Sequence, residues 1–235
     1  MVLNGGREDV YELYIANKNY STWSLRPWVL MRALDIPFNE KVVPLGDPAQ
    51  DFKGFSPTGR VPCLVHDGLT VWDSLAIVEY LAERHEGIWP EDVKARSWAR
   101  SASAEMHSGF QALRSNHPMN IGLRIRPNPL SPSLQGDIER IDTLWQECLE
   151  RFGGPFLAGN RFTAVDAFYC PVAFRFQTYG TKLSIISENY KDRLLSMQAM
   201  QDWQSAALRE TWRDGGHELE AKATGEWLQD LRTAP

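Results

Sequence analysis

Cysteine is scarce in this chain: three residues in 235, Cys63, Cys148 and Cys170, at long and irregular spacings. An odd count excludes a fully paired extracellular disulfide framework, and no two sit at the spacing of a CxxC redox pair, so reduced thiols in a cytosolic protein are expected. Long apolar runs are missing as well. No stretch approaches the roughly 18 uninterrupted apolar residues of a membrane span, and MVLNGGREDV has no apolar segment of signal-peptide length. The expected compartment is therefore the cytoplasm, where the formal sequon Asn19-Tyr20-Ser21 goes unused. Positive charge is not in excess either. With 25 Lys and Arg against 30 Asp and Glu the net charge is −5, which gives no cationic field for nucleic acid or anionic membranes. The sequence also lacks G-x-x-x-x-G-K-[ST], G-x-G-x-x-G, G-x-S-x-G and H-E-x-x-H, so the mononucleotide, dinucleotide, hydrolase-elbow and zincin chemistries have no mechanical parts here. His66, His85, His107, His117 and His217 show no metal-ligand spacing, and no metal is assigned.

What remains is ordinary globular material, 43% hydrophobic and 11% aromatic, long enough for two compact halves. Between residues 10 and 85 strand and helix patterns alternate. Val10 to Ala16 reads as a strand, Leu25 to Leu34 as a helix, and Asn39 to Pro44 as a second strand. Cys63 to Val65 and Thr70 to Trp72 flank the hairpin signal His66-Asp67-Gly68, and Ser74 to Arg84 is helical. The order βαβ then ββα implies a small mixed sheet with helices on its faces, a thioredoxin-like α/β arrangement. His85 to Asp92 is the linker. From residue 93 to 235 an all-helical unit is expected. Trp98 to Leu113 and Leu134 to Phe152 read as an antiparallel pair, and Thr163-Ala-Val-Asp166, with Phe162 as staple, opens a central apolar helix running to Tyr179. Shorter candidates cover Tyr190 to Met197 and Met200 to Leu208, and the tail from Gly215 carries too weak a pattern to place.

Three elements of the first half carry chemistry: Asn17-Lys-Asn-Tyr-Ser-Thr-Trp-Ser-Leu-Arg26 between first strand and first helix, Gly59-Arg-Val-Pro-Cys-Leu64 before the third strand, and Trp72-Asp-Ser-Leu75 opening the next helix. A helix N-terminus with a hydroxyl donor can stabilise a thiolate, and Ser21 and Thr22 stand at one. Ser21, Thr22 and Ser24 are equally readable as simple caps. A helix start such as Asp73-Ser74 suits a carboxylate through its free N–H groups and an ammonium through the Asp side chain.

Taken together and in order, these motifs resemble the glutathione S-transferases over the chain from Val10 to about Leu208. The resemblance implies a thioredoxin-like domain holding glutathione as co-substrate and a helical domain holding the acceptor. It implies catalytic roles for Ser21 or Thr22, and glutathione contacts from Lys41, Val61, Pro62 (cis), Asp73 and Ser74. Zeta-class members resemble this chain but carry Ser-Ser-Cys where it reads Ser21-Thr22-Trp23, so cysteine-based thiol-transferase chemistry is not implied. Cys63 reads as a buried strand residue.

The expected acceptor pocket lies between the halves, lined by Trp23, Met106, Phe110 and Arg114. Beside it, Arg114, His117, Arg124 and Arg126 would select an anionic acceptor if they faced the cleft. Conjugation of glutathione to a small electrophile is the expected reaction. The alternatives are a glutathione-dependent isomerase of a carboxylate substrate, like maleylacetoacetate isomerase, and a non-catalytic binding protein on the same fold. Nine tryptophans and the resemblance together imply a homodimer.

Overall fold

The computed structural model describes residues 10–47 and 51–234. Alternation in β1 (Tyr11–Ile15) buries Tyr11, Leu13 and Ile15 on one face. A strand so patterned takes the middle of the sheet, with β2 (Phe38–Val42) parallel on one side and β3 (Cys63–His66) antiparallel on the other. Parallel neighbours require a crossover, which α1 (Thr22–Ala33) supplies. β3 turns into β4 (Leu69–Val71) through Asp67 and Gly68, both at positive φ (48° and 75°), the two-residue hairpin geometry that the Asp-Gly pair favours. The sheet order is β2-β1-β3-β4. Asp73 then caps α2 (Ser74–Ala82), its carboxylate accepting the Leu75 N–H at 3.0 Å.

Across the linker, α3 (Val93–Ser108) is capped by Asp92. The periodicity that ran on to Leu113 breaks at Gly109 and Phe110, where Phe110 takes a left-handed conformation (φ 57°) and starts a separate α4 (Gln111–Asn116). The expected pair with α5 (Pro132–Phe152) is correspondingly altered. α3 packs chiefly on α6 (Ala164–Tyr179) and reaches α5 through the Glu105–Arg140 ion pair and the Trp98–Phe152 rings. The Thr163–Asp166 capping box opens α6 as expected, and Phe162 lies buried edge-on to Phe156. α6 is buried along nearly its whole length and packs on both α1 and α3, so it joins the halves. After α7 (Ile185–Ser196) and α8 (Gln198–Arg209), the tail forms α9 (Gly215–Ala223) and a strand, β6 (Gly225–Asp230). β6 pairs antiparallel with β5 (Leu123–Pro127), so the helical unit also carries a two-stranded ribbon that the sequence pattern did not foretell. Among the described residues no helix is long and apolar enough to cross a membrane.

Candidate active site

The loop from Asn17 to Ser21 presents the tip of α1. Ser21 stands at the N-cap, yet its hydroxyl makes no cap hydrogen bond. It donates instead to the Ser24 hydroxyl at 2.7 Å, and buried Ser24 also accepts the Ala16 N–H at 3.2 Å. The Thr22 side chain is buried at the first helical position and its N–H is spent on the Tyr20 carbonyl. Ser21 and Thr22 both line a cavity of about 510 Å³ that continues, past Trp23, Arg60 and Val61, into a second of about 570 Å³ bounded by Pro62, Trp72 and Asp73.

On the sheet side, Val61–Pro62 is cis, and neither the Val61 N–H nor its C=O has a partner among the described residues. Asp73 sits at the far end of the second cavity. Ser74 is buried beneath it, with its hydroxyl 3.5 Å from Nη1 of Arg26. Arg26 is fully buried, its guanidinium stacked 4.2 Å from the Trp23 ring centroid and 4.8 Å from that of Phe168. Burial first, then the charges of Arg114 and Arg175, push its pKa well down, and its Nε and Nη2 lack partners among the described residues.

On the helical side the cavity wall holds Arg114 from α4 and Arg175 from α6. Their hydrogen bonds run to carbonyls, Arg114 to those of Met106 and Gly109 and Arg175 to that of His117. Among the described residues no carboxylate lies within ion-pair distance of either, although the Asp137 charge acts on Arg114 from farther off. Burial, reinforced by Arg114, lowers the Arg175 pKa to about 10. A third wall comes from the tail: His217 and Glu220 of α9 line the same cavity. The tail is tied to the Ser21 loop. Glu210 accepts the N–H groups of Lys18 and Asn19 at 2.7 and 3.3 Å, Tyr20 donates to Glu218 at 2.7 Å, and Arg232 pairs with both Glu218 and Asp230.

Several expected site residues fall elsewhere. Lys41 lines neither cavity. It projects from edge strand β2 towards Glu12 on the neighbouring strand, at 3.5 Å. Met106 and Phe110 lie buried behind the wall rather than in it, Met106 serving through its carbonyl. The basic stretch does not converge on the cleft beyond Arg114. Arg124 folds back onto the carbonyls of Ile121 and Leu123, Arg126 pairs with Glu226 across the ribbon, and His117 stacks on Tyr179 at 4.0 Å. Arg60, Arg175, His217 and Glu220 were not singled out from sequence. A lone arginine in the otherwise apolar helix from Val165 to Tyr179 was the one available signal.

The family model described as glutathione S-transferase, N-terminal domain matches residues 20–84, and the one described as glutathione S-transferase, C-terminal domain matches residues 99–216. A probable maleylacetoacetate isomerase of Caenorhabditis elegans is 30% identical over 180 residues, covering 73% of this chain and 81% of the relative. The maleylacetoacetate isomerase of Rattus norvegicus is 25% identical over 199 residues, 80% and 89% of the two chains. A Burkholderia glutathione transferase homolog, solved with bound glutathione, superposes with a TM-score of 0.64 at 22% identity over 84% of this chain and 98% of its own.

Proposed function

Because the chain belongs to the glutathione S-transferase family, we propose that it binds glutathione along the sheet-side wall and activates its thiol with Ser21 for transfer to a small electrophile. The observation that carries this reading is an N-cap hydroxyl left free of capping and turned to a cleft. A thiol of pKa about 8.5 is mostly protonated at neutral pH, and its thiolate is favoured by a hydroxyl donor at the positive end of a helix. Hydroxyl protons rotate. Ser24 can donate to Ser21 while Ser21 donates to sulfur, a chain in which each bond strengthens the next. The free N–H and C=O of Val61 suit the cysteinyl amide, the α2 N-terminus at Ser74 suits the γ-glutamyl carboxylate, and Asp73 suits its ammonium. In the transfer the thiol proton leaves to solvent, the thiolate forms a C–S bond to the electrophilic carbon, and the leaving group departs with its bonding pair.

A second reading rests on a separate observation, the two arginines on the helical wall without a carboxylate partner. Paired guanidiniums of that kind fit an acceptor bearing carboxylates, and with them a glutathione-dependent isomerisation. Stoichiometry separates the two: conjugation consumes one glutathione per turnover, whereas isomerisation returns it. Cytoplasmic location and homodimer assembly belong to the same proposal, and a sedimentation mass of a single 26.8 kDa chain would exclude the dimer.

The test is turnover of a chromogenic aryl halide with glutathione. Ser21→Ala is expected to lower kcat/KM by about 100-fold, the order found when one donor to a developing anion is removed. Equal rates for the variant and the parent chain would remove Ser21 from the mechanism. No glutathione binding at millimolar concentration by calorimetry would favour a non-catalytic binding protein.

A further inference from the structure

Resting on the reading that Asp73 receives the γ-glutamyl ammonium of glutathione, we propose that His107 is a positioning residue that holds the Asp73 carboxylate in place for that ammonium. His107 lies in the last turn of α3, on the helical unit, and reaches across to the N-cap of α2 with Nε2 3.3 Å from Asp73 Oδ2. The other carboxylate oxygen, Oδ1, is held by the Leu75 N–H. Each oxygen therefore has one fixed partner and keeps lone pairs for a ligand, and the Asp73 side chain is 55% exposed towards the cavity that it borders.

The surroundings fix the protonation state of the imidazole. Nδ1 is buried without a hydrogen-bond partner among the described residues, and the carboxylate offers only acceptors. The neutral ring is best matched with its proton on Nε2, which faces Asp73 Oδ2 across the 3.3 Å contact, since the other tautomer would leave both an N–H and a carboxylate unmatched. Every element packed around the ring contributes. α1 supplies the Trp23 ring edge-on at 5.2 Å and the Arg26 charge, α4 supplies Arg114, α6 supplies the Phe168 ring, and the start of α2 supplies Asp73. Burial is the largest influence on the His107 pKa and lowers it, Arg26 and Arg114 push the same way, and only Asp73 opposes. At neutral pH the ring is an uncharged donor that orients the carboxylate without neutralising it. Acidification turns it into a cation, which competes with the ligand ammonium for the same oxygen.

The experiment compares calorimetric Kd values for glutathione and for glutaryl-Cys-Gly, which lacks only the α-amino group, with the parent chain, His107→Ala and His107→Gln. The parent chain should prefer glutathione. That preference should fall about tenfold in His107→Ala and recover in His107→Gln, whose amide N–H can stand in for Nε2. On lowering the pH from 7.5 to 5, glutathione affinity should decline for the parent chain and stay flat for His107→Gln. A preference unchanged in His107→Ala, or a pH response shared by His107→Gln, overturns the proposal. Should His107→Ala fail to fold, the pH profile of His107→Gln still decides. Failure of the parent chain to bind glutathione, or to distinguish it from the deamino analogue, would instead overturn the reading of Asp73 on which the proposal rests.

Discussion

The sheet-side wall of the cleft and its helical wall present polar groups in opposite ways. The first relies mainly on short groups that belong to the backbone or sit close to it, the Val61 amide and carbonyl, the Ser21 hydroxyl and the start of α2, with Asp73 and Arg60 as its charged members. The second uses long cations, Arg114 and Arg175, drawn from helices and partly stripped of water. Groups fixed by the backbone recognise a ligand with the same backbone chemistry, such as a tripeptide. Desolvated cations without a partner are costly to hold in the apo protein and favour a ligand that brings negative charge. On the reading proposed above, the first wall takes glutathione and the second chooses the acceptor.

The largest effect should come from undermining the helical wall at its base. Asp166 is fully buried and accepts the Leu157 and Thr163 N–H groups and the Tyr190 hydroxyl, at 2.8–2.9 Å, at the start of the helix that carries Arg175. Asp166→Ala strands these donors and should cost roughly 3–5 kcal/mol in urea unfolding. The same carboxyl predicts a pH trend in the parent chain. Burial, outweighing the hydrogen bonds, raises its pKa from 3.8 to about 6. A raised folded-state pKa means that the linked stability is full below the unfolded value and is lost as pH rises through about 6. This component should be absent from Asp166→Ala. A variant as stable as its parent would show that the wall does not depend on this cap.

Next in size is Arg175→Met, which keeps the bulk of the side chain and removes the charge. Matched electrophiles with and without a carboxylate should separate: about 10- to 100-fold loss of kcat/KM for the carboxylates, little change for the neutral ones. A uniform loss over the panel would break the division of labour between the walls, because it would place Arg175 in thiol activation.

How far the site could be read from sequence follows the same division. Asp73-Ser74 and the hydroxyls at Ser21 and Thr22 stand at helix starts that local pattern marks, whereas Val61-Pro62 was singled out through the family resemblance of its motif. Arg175 and His107 stand in helices whose periodicity announces only helix, and what brings them to the cleft is tertiary packing of α6 and α3 against α1 and α2. The basic run from Arg114 to Arg126 left its direction open for the same reason. Proximity in sequence does not decide which way each side chain faces, and on β5 Arg124 folds onto the Ile121 and Leu123 carbonyls while Arg126 pairs with Glu226 across the ribbon. In the fold, the order of elements in the first half and the Thr163 cap were legible because strand pattern and capping are local signals. The ribbon was not, since β6 finds its partner about a hundred residues away and its sequence, Gly225-Glu-Trp-Leu-Gln-Asp230, lacks a clean alternation.

The smallest effect tests whether the sheet-side wall is as local as it looks. Tyr20, the residue before Ser21, donates to Glu218 on α9 and stacks on His217 at 5.0 Å, and Glu218 is in turn gripped by Arg232, whose side chain is 2% exposed. Both residues of the tail, Glu218 and Arg232, lie beyond the stretch matched by the family models, so this wall also takes support from the C-terminal tail. Arg232→Gln should loosen α9 and cost about 1 kcal/mol, because ion pairs that keep some contact with solvent contribute little singly and more within a network. Turnover should fall severalfold at most, through Tyr20 and Ser21 rather than through the acceptor, and so equally for neutral and carboxylate electrophiles. A double-mutant cycle with Tyr20→Phe reads the connection directly, since both residues meet on the Glu218 carboxylate. A coupling energy of about 0.5–1 kcal/mol is expected. Additivity would mean that the Glu218 contact does not help to place Ser21, which would leave the loop to its own turn and to the Glu210 contacts with Lys18 and Asn19.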